Sequence, residues 1–259
     1  MGGEESLAIG LLGPITVWQA DRELYLGPAR QREVLAVLAL LAGQVVAVGE
    51  IAAAVWGERQ PSSVGNLVHT YVSRLRSVLN YADGADVLRS NRPGYRLAVR
   101  PQSVDVTRFE ESTRHARTAA GKGDLTAAAT ALETALGMWR GSVLAEAGGP
   151  LAEAERVRLT EMRHEATEEL MRVRVLRGDV GGLVPELKRM IVKDPLRERL
   201  WALLLVVLGQ MSRTAEAMTA YHEARMTLAD RLGVEPGREL QQLYRSLLHG
   251  EPMVIGPVW

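Results

Sequence analysis

Between residues 62 and 81 the chain reads SSVGNLVHTYVSRLRSVLNY, and apolar side chains return at Val64, Leu67, Tyr71, Leu75 and Val78. Steps of three and four put them on one stripe of an α-helix, and Pro61 stands where a helix start tolerates a missing N–H. The same period predicts helices over 29–42 (Val34, Leu35, Val37, Leu38, Leu41) and about 48–56 (Ile51, Val55, Trp56), closed by Gly43 and Gly57. Ahead of them the pattern is short and extended. Runs at 7–12, 15–18 and 23–26, parted by Gly13-Pro14 and a polar turn at 19–22, predict three short antiparallel strands. Behind the third helix, Asp83-Gly84 within 82–85 predicts a break. Residues 87–89 and 95–99 then alternate about 90–94 as a β-hairpin.

The polar side of residues 62–81 adds chemistry. Asn66, His69, Thr70, Ser73, Arg74 and Ser77 lie opposite the stripe, with Arg76 on one flank. They are not the Glu/Lys pairs that solvate an ordinary surface helix. Asn, Ser, Thr and Arg read base edges in a major groove, and Arg also grips phosphate. A helix joined by a short turn to a second helix with such an outer face follows helix-turn-helix logic. The hairpin behind it carries Arg89, Asn91, Arg92 and Arg96, and so is placed as a wing able to reach backbone or minor groove. In the first helix, Arg30 either touches phosphate or solvates the helix start.

Residues 101–106 read as a linker, and from Thr107 onward the pattern is wholly helical with an internal repeat. Tetratricopeptide spacing laid from Glu198 puts Trp201, Leu204, Leu208, Ala217, Tyr221 and Ala224 at positions 4, 7, 11, 20, 24 and 27. A frame from His164 collects Leu170, Leu183, Leu187, Met190 and Pro195, and one from Phe109 collects Ala128, Leu132 and Ala135. The surplus at 138–163 predicts a loop plus a lengthened helix. A last helix after Pro236, with Leu240, Leu243, Tyr244 and Leu247 on its stripe, would cap the stack.

Composition narrows the classes. Hydrophobic residues make up 47% of the 259, enough for real cores, and aromatic residues only 5%, in keeping with a mainly helical chain. There is no cysteine, which excludes disulfides, thiolate metal sites and cysteine nucleophiles. The first ten residues lack the pattern of a signal peptide, and apolar runs of nine residues at 34–42 and 200–208 are too short to span a bilayer. These features predict a cytoplasmic protein without membrane contact. The net charge is zero, yet residues 61–100 hold six Arg against Asp83 and Asp86. The positive field is local and entirely Arg, which fits a duplex partner at that segment. The five His are scattered without HExxH spacing, and Gly121-Lys122-Gly123 is not a P-loop. No catalytic residue, metal site or cofactor is predicted.

Several stretches carry a family resemblance. GLLGPITVW (10–18), GPARQREVLAVLAL (27–40), VHTYVSRLRSVL (68–79) and RPGYRL (92–97) resemble the start of the Streptomyces antibiotic regulatory protein family. DPLRERLWALLLVVL (194–208) and AEAMTAYHEARMTLADRLGVEPGRELQQLY (215–244) resemble that family's bacterial transcriptional activation domain. The resemblance covers nearly the whole chain and implies its fold. Residues 1–104 would be an OmpR-type winged helix, the DNA-binding type of two-component phosphorelay regulators, with a small β-sheet and wing hairpin. Residues 105–250 would be an all-α tetratricopeptide-like domain, and 251–259 a tail. The chain reads as a short member, without an appended nucleotide-binding or sensor domain.

The resemblance also implies the function: an activator of antibiotic biosynthetic genes. It would bind direct repeats in promoters near the −35 element as side-by-side protomers, a homodimer on double-stranded DNA. It would then recruit RNA polymerase through its σ factor and core subunits. Carried onto this sequence, the DNA-binding positions are Asn66, His69, Thr70, Tyr71, Ser73, Arg74, Arg76, Arg89, Asn91 and Arg92. Arg74 is expected on guanine O6/N7, Thr70 on a thymine methyl, and Asn66 or Ser73 on further base edges. Arg76, Arg89 and Arg92 are expected on phosphates, although Arg76 has the protein's own acids as alternative partners. Tyr71 has its ring towards the core and a hydroxyl within reach of a phosphate. Asn91 stands where many such wings have Arg, and residues 209–213 (GQMSR) replace the Gly-Arg turn often found in the activation domain. The competing reading is a peptide-binding tetratricopeptide scaffold whose N-terminal domain is only structural; it leaves the Arg cluster without a purpose.

Overall fold

The computed structural model describes residues 7–83 and 86–253; positions 84–85 of the break expected over 82–85, and positions 254–259 of the expected tail, lie outside them, while residues 82–83 continue the preceding helix rather than break it. Three short strands open the chain: β1 (Leu7–Gly10), β2 (Thr16–Gln19) and β3 (Arg22–Glu23). They pair antiparallel in that order, with Ile9 opposite Val17. Three helices follow, α1 (Ala29–Leu40), α2 (Val48–Trp56) and α3 (Val64–Asp83). Glu50 helps start α2 by accepting the Ala47 N–H at 2.8 Å. The hairpin is β5 (Leu88–Asn91) and β6 (Gly94–Leu97), tighter than the sequence predicted. A further strand, β4 (Val45–Ala47), joins β6 on its other edge, so the wing supplies two strands of a three-stranded β4-β6-β5 sheet.

The buried stripe of α3 is rotated from the predicted one. Val68, Val72, Leu75 and Leu79 are buried, while Val64, Leu67, Tyr71 and Val78 are half-buried. Two apolar series interleave on this helix and share Leu75; packing against α1, α2 and β5 decides between them. The exposed side is unaffected, because the two series flank the same polar arc.

The remaining helices are α4 (Asp105–Gly121), α5 (Leu125–Gly137), α6 (Pro150–Leu176), α7 (Leu183–Lys193), α8 (Glu198–Gln210), α9 (Thr214–Leu232) and α10 (Arg238–His249). The described chain forms two compact units. One gathers the residues up to 114 with 133–164; the other gathers 115–132 with 165 onward.

In the first unit, residues 101–106 are no linker. Val104, Asp105 and Val106 are buried, and the Asp105 carboxylate accepts the backbone N–H groups of Leu11 at 2.8 Å and Leu12 at 3.0 Å. Arg140 Nη2 lies 3.3 Å from the same carboxylate, and its guanidinium stacks 4.6 Å over the Trp18 ring. Burial pushes the Asp105 carboxyl above its ordinary range, against the opposing pull of the two N–H groups and Arg140. The surplus segment before α6 is a loop, as expected, but a fastened one. Arg140 N–H donates to Leu12 O at 2.8 Å, Leu144 N–H to Leu11 O at 3.1 Å, and Gly148 N–H to Glu33 Oε1 at 3.1 Å. Arg156 then holds the carbonyls of Val143, Leu144 and Ala147.

In the second unit, α7, α8, α9 and α10 pack on one another around α8, whose residues 200–208 are all buried. Every residue assigned to the repeat frame from Glu198 is buried, including Ala217 and Ala224, which let α9 approach α8 closely. Tyr221 of α9 stacks on Tyr244 of α10 with ring centroids 3.9 Å apart. The turn at 209–213 is closed by Ser212, a non-glycine residue at φ 58°.

Candidate nucleic-acid interface

The outer face of α3 is built by subtraction. Once the buried series has faced α1, α2 and the hairpin, Asn66, His69, Thr70, Ser73, Arg74 and Ser77 are left exposed along the helix. Two hydroxyls on that face turn back to the backbone: Thr70 Oγ1 donates to Asn66 O at 2.8 Å, and Ser77 Oγ to Ser73 O at 3.1 Å. Thr70 and Asn66 are nonetheless exposed. Arg74 is exposed and makes no hydrogen bond or ion pair among the described residues. Tyr71 is set apart, its ring parallel to that of Trp56 at the end of α2, with centroids 6.4 Å apart.

Two of the sequence-derived positions are tied to the wing. Arg76 Nε donates to Leu88 O at 2.7 Å and Nη2 to Ser90 Oγ at 2.8 Å, so its guanidinium spans from α3 to β5. This is neither of the partners the sequence offered, phosphate or the protein's own acids. His69 Nδ1 shares a hydrogen bond with the hydroxyl of Tyr95 on β6, the two rings meeting edge-on at 5.8 Å. Asn80 fixes the entry to β5 by accepting the Val87 N–H at 3.1 Å. The wing is therefore held to the helix at three heights.

Within the wing, alternation separates two faces. Leu88, Tyr95 and Leu97 are buried and face inward, Ser90 shares their face but is exposed, and Arg89, Asn91 and Arg96 lie on the other face and are exposed. Arg89 Nε donates to Asp86 O at 3.0 Å. Arg92 sits exposed at the turn. Gly94 allows β6 to lie close on β4, since a Cβ there would stand 1.8 Å from the Val46 carbonyl oxygen. Arg30, the remaining basic candidate, is exposed but engaged by the protein itself, donating to Glu33 at 2.7 Å and to Val55 O at 2.8 Å. None of these engagements between distant residues leaves a periodic signal in the sequence.

An exposed face of Asn, Ser, Thr and Arg side chains beside an Arg-rich wing is an arrangement suited to duplex DNA. No helix among the described residues is long and apolar enough to cross a membrane. Comparison with known proteins agrees with this arrangement. Residues 21–97 match the model of the family described as transcriptional regulatory protein, C terminal, and residues 104–248 that of the bacterial transcriptional activator domain. The regulatory protein AfsR of Streptomyces coelicolor is 38% identical over 252 residues, 96% of this chain, but the chain spans only 25% of that protein. The regulatory protein DnrI of Streptomyces peucetius is 33% identical over 254 residues, covering 95% of this chain and 93% of DnrI. The solved structure of Mycobacterium tuberculosis EmbR in complex with a low-affinity phosphopeptide matches 97% of this chain and 67% of its own, at 32% identity and a TM-score of 0.92. With both family models matched in order and a relative aligned over almost its full length, the chain belongs to the Streptomyces antibiotic regulatory protein family, an OmpR-type winged helix followed by a bacterial transcriptional activator domain.

Proposed function

We propose that this protein is a sequence-specific DNA-binding activator of a secondary-metabolite gene cluster. The observation that carries the reading is the exposed arc from Asn66 to Ser77 beside a wing whose outward side chains are basic. In this reading α3 enters the major groove. Arg74 meets guanine O6/N7, Thr70 meets a thymine methyl, and Asn66 and Ser73 contact neighbouring edges. Arg89 and Arg92 take phosphates, and Asn91 lies beside them at the groove. His69 and Arg76 act by holding the wing, and Tyr71 by bracing α3 on α2. Two protomers bind direct repeats near the −35 element as a homodimer on DNA. The winged helix, residues up to 104, reads the promoter. The helical region 105–250 engages RNA polymerase, σ factor included, in the cytoplasm. The protein acts without catalysis or cofactor.

Footprinting on promoter fragments from its own gene neighbourhood, at two salt concentrations, tests this. Protection of two equally oriented repeats about one or two helical turns apart, surviving competitor DNA, is the expected result. Weak binding that competitor DNA abolishes would instead favour a peptide-binding scaffold.

A further inference from the structure

Where the end of α1, the start of α4 and the first turns of α6 meet, all within the first unit, lies a cavity of about 130 Å³. Leu40, Leu41, Val104, Val106 and Leu151 give it apolar walls. An apolar cavity of about 150 Å³ takes up benzene, so this one has room for a single ring-sized body. Leu40 and Leu151 also border a second hollow of about 10 Å³. The layer around this pair is incompletely filled and can yield as a ligand enters.

The polar part of the lining has one charge sign in excess. Leu151, Glu155 and Arg158 recur in steps of four and three on one face of α6, and Thr107 and Glu110 stand three apart on α4. Arg158 joins the two carboxylates, Nη1 to Glu110 Oε1 and Nη2 to Glu155 Oε2, each at 2.7 Å. One guanidinium against two carboxylates leaves a net negative charge in the lining. Glu110 Oε2, Glu155 Oε1 and the Thr107 hydroxyl have no hydrogen-bond partner among the described residues. The end of α1 borders the same cavity with no basic side chain in its last turn, so the partial negative charge of its carbonyl terminus adds to the excess.

We propose that this cavity binds a small hydrophobic amine, its apolar body among the aliphatic walls and its ammonium at the polar lining. A primary ammonium has three donors and no acceptor, which suits the open oxygens of Glu110, Glu155 and Thr107. An anion would meet the excess negative charge instead. The site does not depend on the DNA-binding reading.

The experiment titrates the full chain with benzylamine, and with benzyl alcohol and benzoate as its neutral and anionic counterparts, at constant pH and ionic strength. It reads the thermal midpoint and the methyl NMR signals of Val104, Val106 and Leu151. Benzylamine, with about eight non-hydrogen atoms, is expected to bind with a dissociation constant on the order of 1 mM. At about ten times that concentration it should raise the midpoint by about 2–5 °C. Benzyl alcohol and benzoate should bind about tenfold more weakly. Glu155→Gln, which neutralises the lining, should weaken benzylamine about tenfold and leave benzyl alcohol unchanged. Ala39→Leu, which fills the cavity, should block all three; if that variant does not fold, Glu155→Gln decides. Equal affinity for benzylamine and benzyl alcohol, or an unchanged benzylamine affinity in Glu155→Gln, overturns the amine assignment. Tighter binding of benzoate makes Arg158 the recognising group and overturns it too. Midpoints and methyl signals that no probe moves end the proposal.

Discussion

At the scale of single residues, Arg74 and Arg92 offer the same guanidinium in different settings. Arg74 stands on the outer arc of α3, flanked by Ser73 and Ser77, with no protein partner among the described residues. A bidentate contact with guanine from that position is worth about 1–3 kcal/mol of discrimination. Arg74→Ala should therefore lose about 1–3 kcal/mol on the cognate site and relax preference at one base pair, read by binding to a set of single-base operator variants. Equal loss on scrambled DNA would make Arg74 a phosphate contact only. Arg92 sits at the turn of the wing, beyond the polar arc of α3. Arg92→Ala should weaken all duplexes alike and lower the salt slope by about one unit, measured by titrating salt against binding. An unchanged slope removes Arg92 from the interface.

At the scale of elements, the wing is a lever whose attachment counts for as much as its tip. Arg76 and His69 bind it to α3 through Leu88 O, Ser90 Oγ and the Tyr95 hydroxyl. If they act by position, Arg76→Ala should abolish protection flanking the repeats while the protection made by α3 persists. Adding Arg92→Ala should then cost almost nothing further. A double-mutant cycle checks this: a coupling energy below about 0.5 kcal/mol would show the two residues acting independently. This scale also separates what the sequence discloses from what it hides. The repeat frame from Glu198 predicted Trp201, Leu204, Leu208, Ala217, Tyr221 and Ala224 as core, and each is buried, because spacing within one helix pair is a local property. The wing and the outer arc of α3 were equally legible. The rotation of the α3 stripe was not, because Val64–Leu67 and Val68–Val72 fit the same period and only packing partners choose between them. Arg76 on Leu88 O joins residues 12 apart and His69 on Tyr95 residues 26 apart, with a turn and a strand between. Nothing periodic links such pairs.

At the scale of the whole molecule, the N-terminal sheet depends on side chains from far along the chain. Asp105 accepts hydrogen bonds from two backbone N–H groups, and Arg140 helps neutralise its carboxylate, all within one compact unit. Asp105→Ala would strand the N–H groups of Leu11 and Leu12 and leave Arg140 without its carboxylate. A loss of about 3–5 kcal/mol is expected from urea unfolding. The pH dependence has a definite sign. Because burial raises the Asp105 carboxyl in the folded state, its contribution to stability is complete below the ordinary value of 3.8 and is lost as pH rises through the higher folded value. Asp105→Asn does not titrate. The stability of the wild-type protein relative to Asp105→Asn should therefore shrink as pH rises across that window; a constant difference would remove the burial argument. The segment between α5 and α6 has a different consequence, one for inheritance. The unit that carries α3 and the wing is assembled from two separate stretches, residues up to 114 and 133–164. A single crossover after residue 104 would part Leu11 and Leu12 from Asp105, Arg140 and Leu144. Exchange of operator specificity between relatives by recombination or by construction of chimaeras is thus expected to succeed when both stretches travel together.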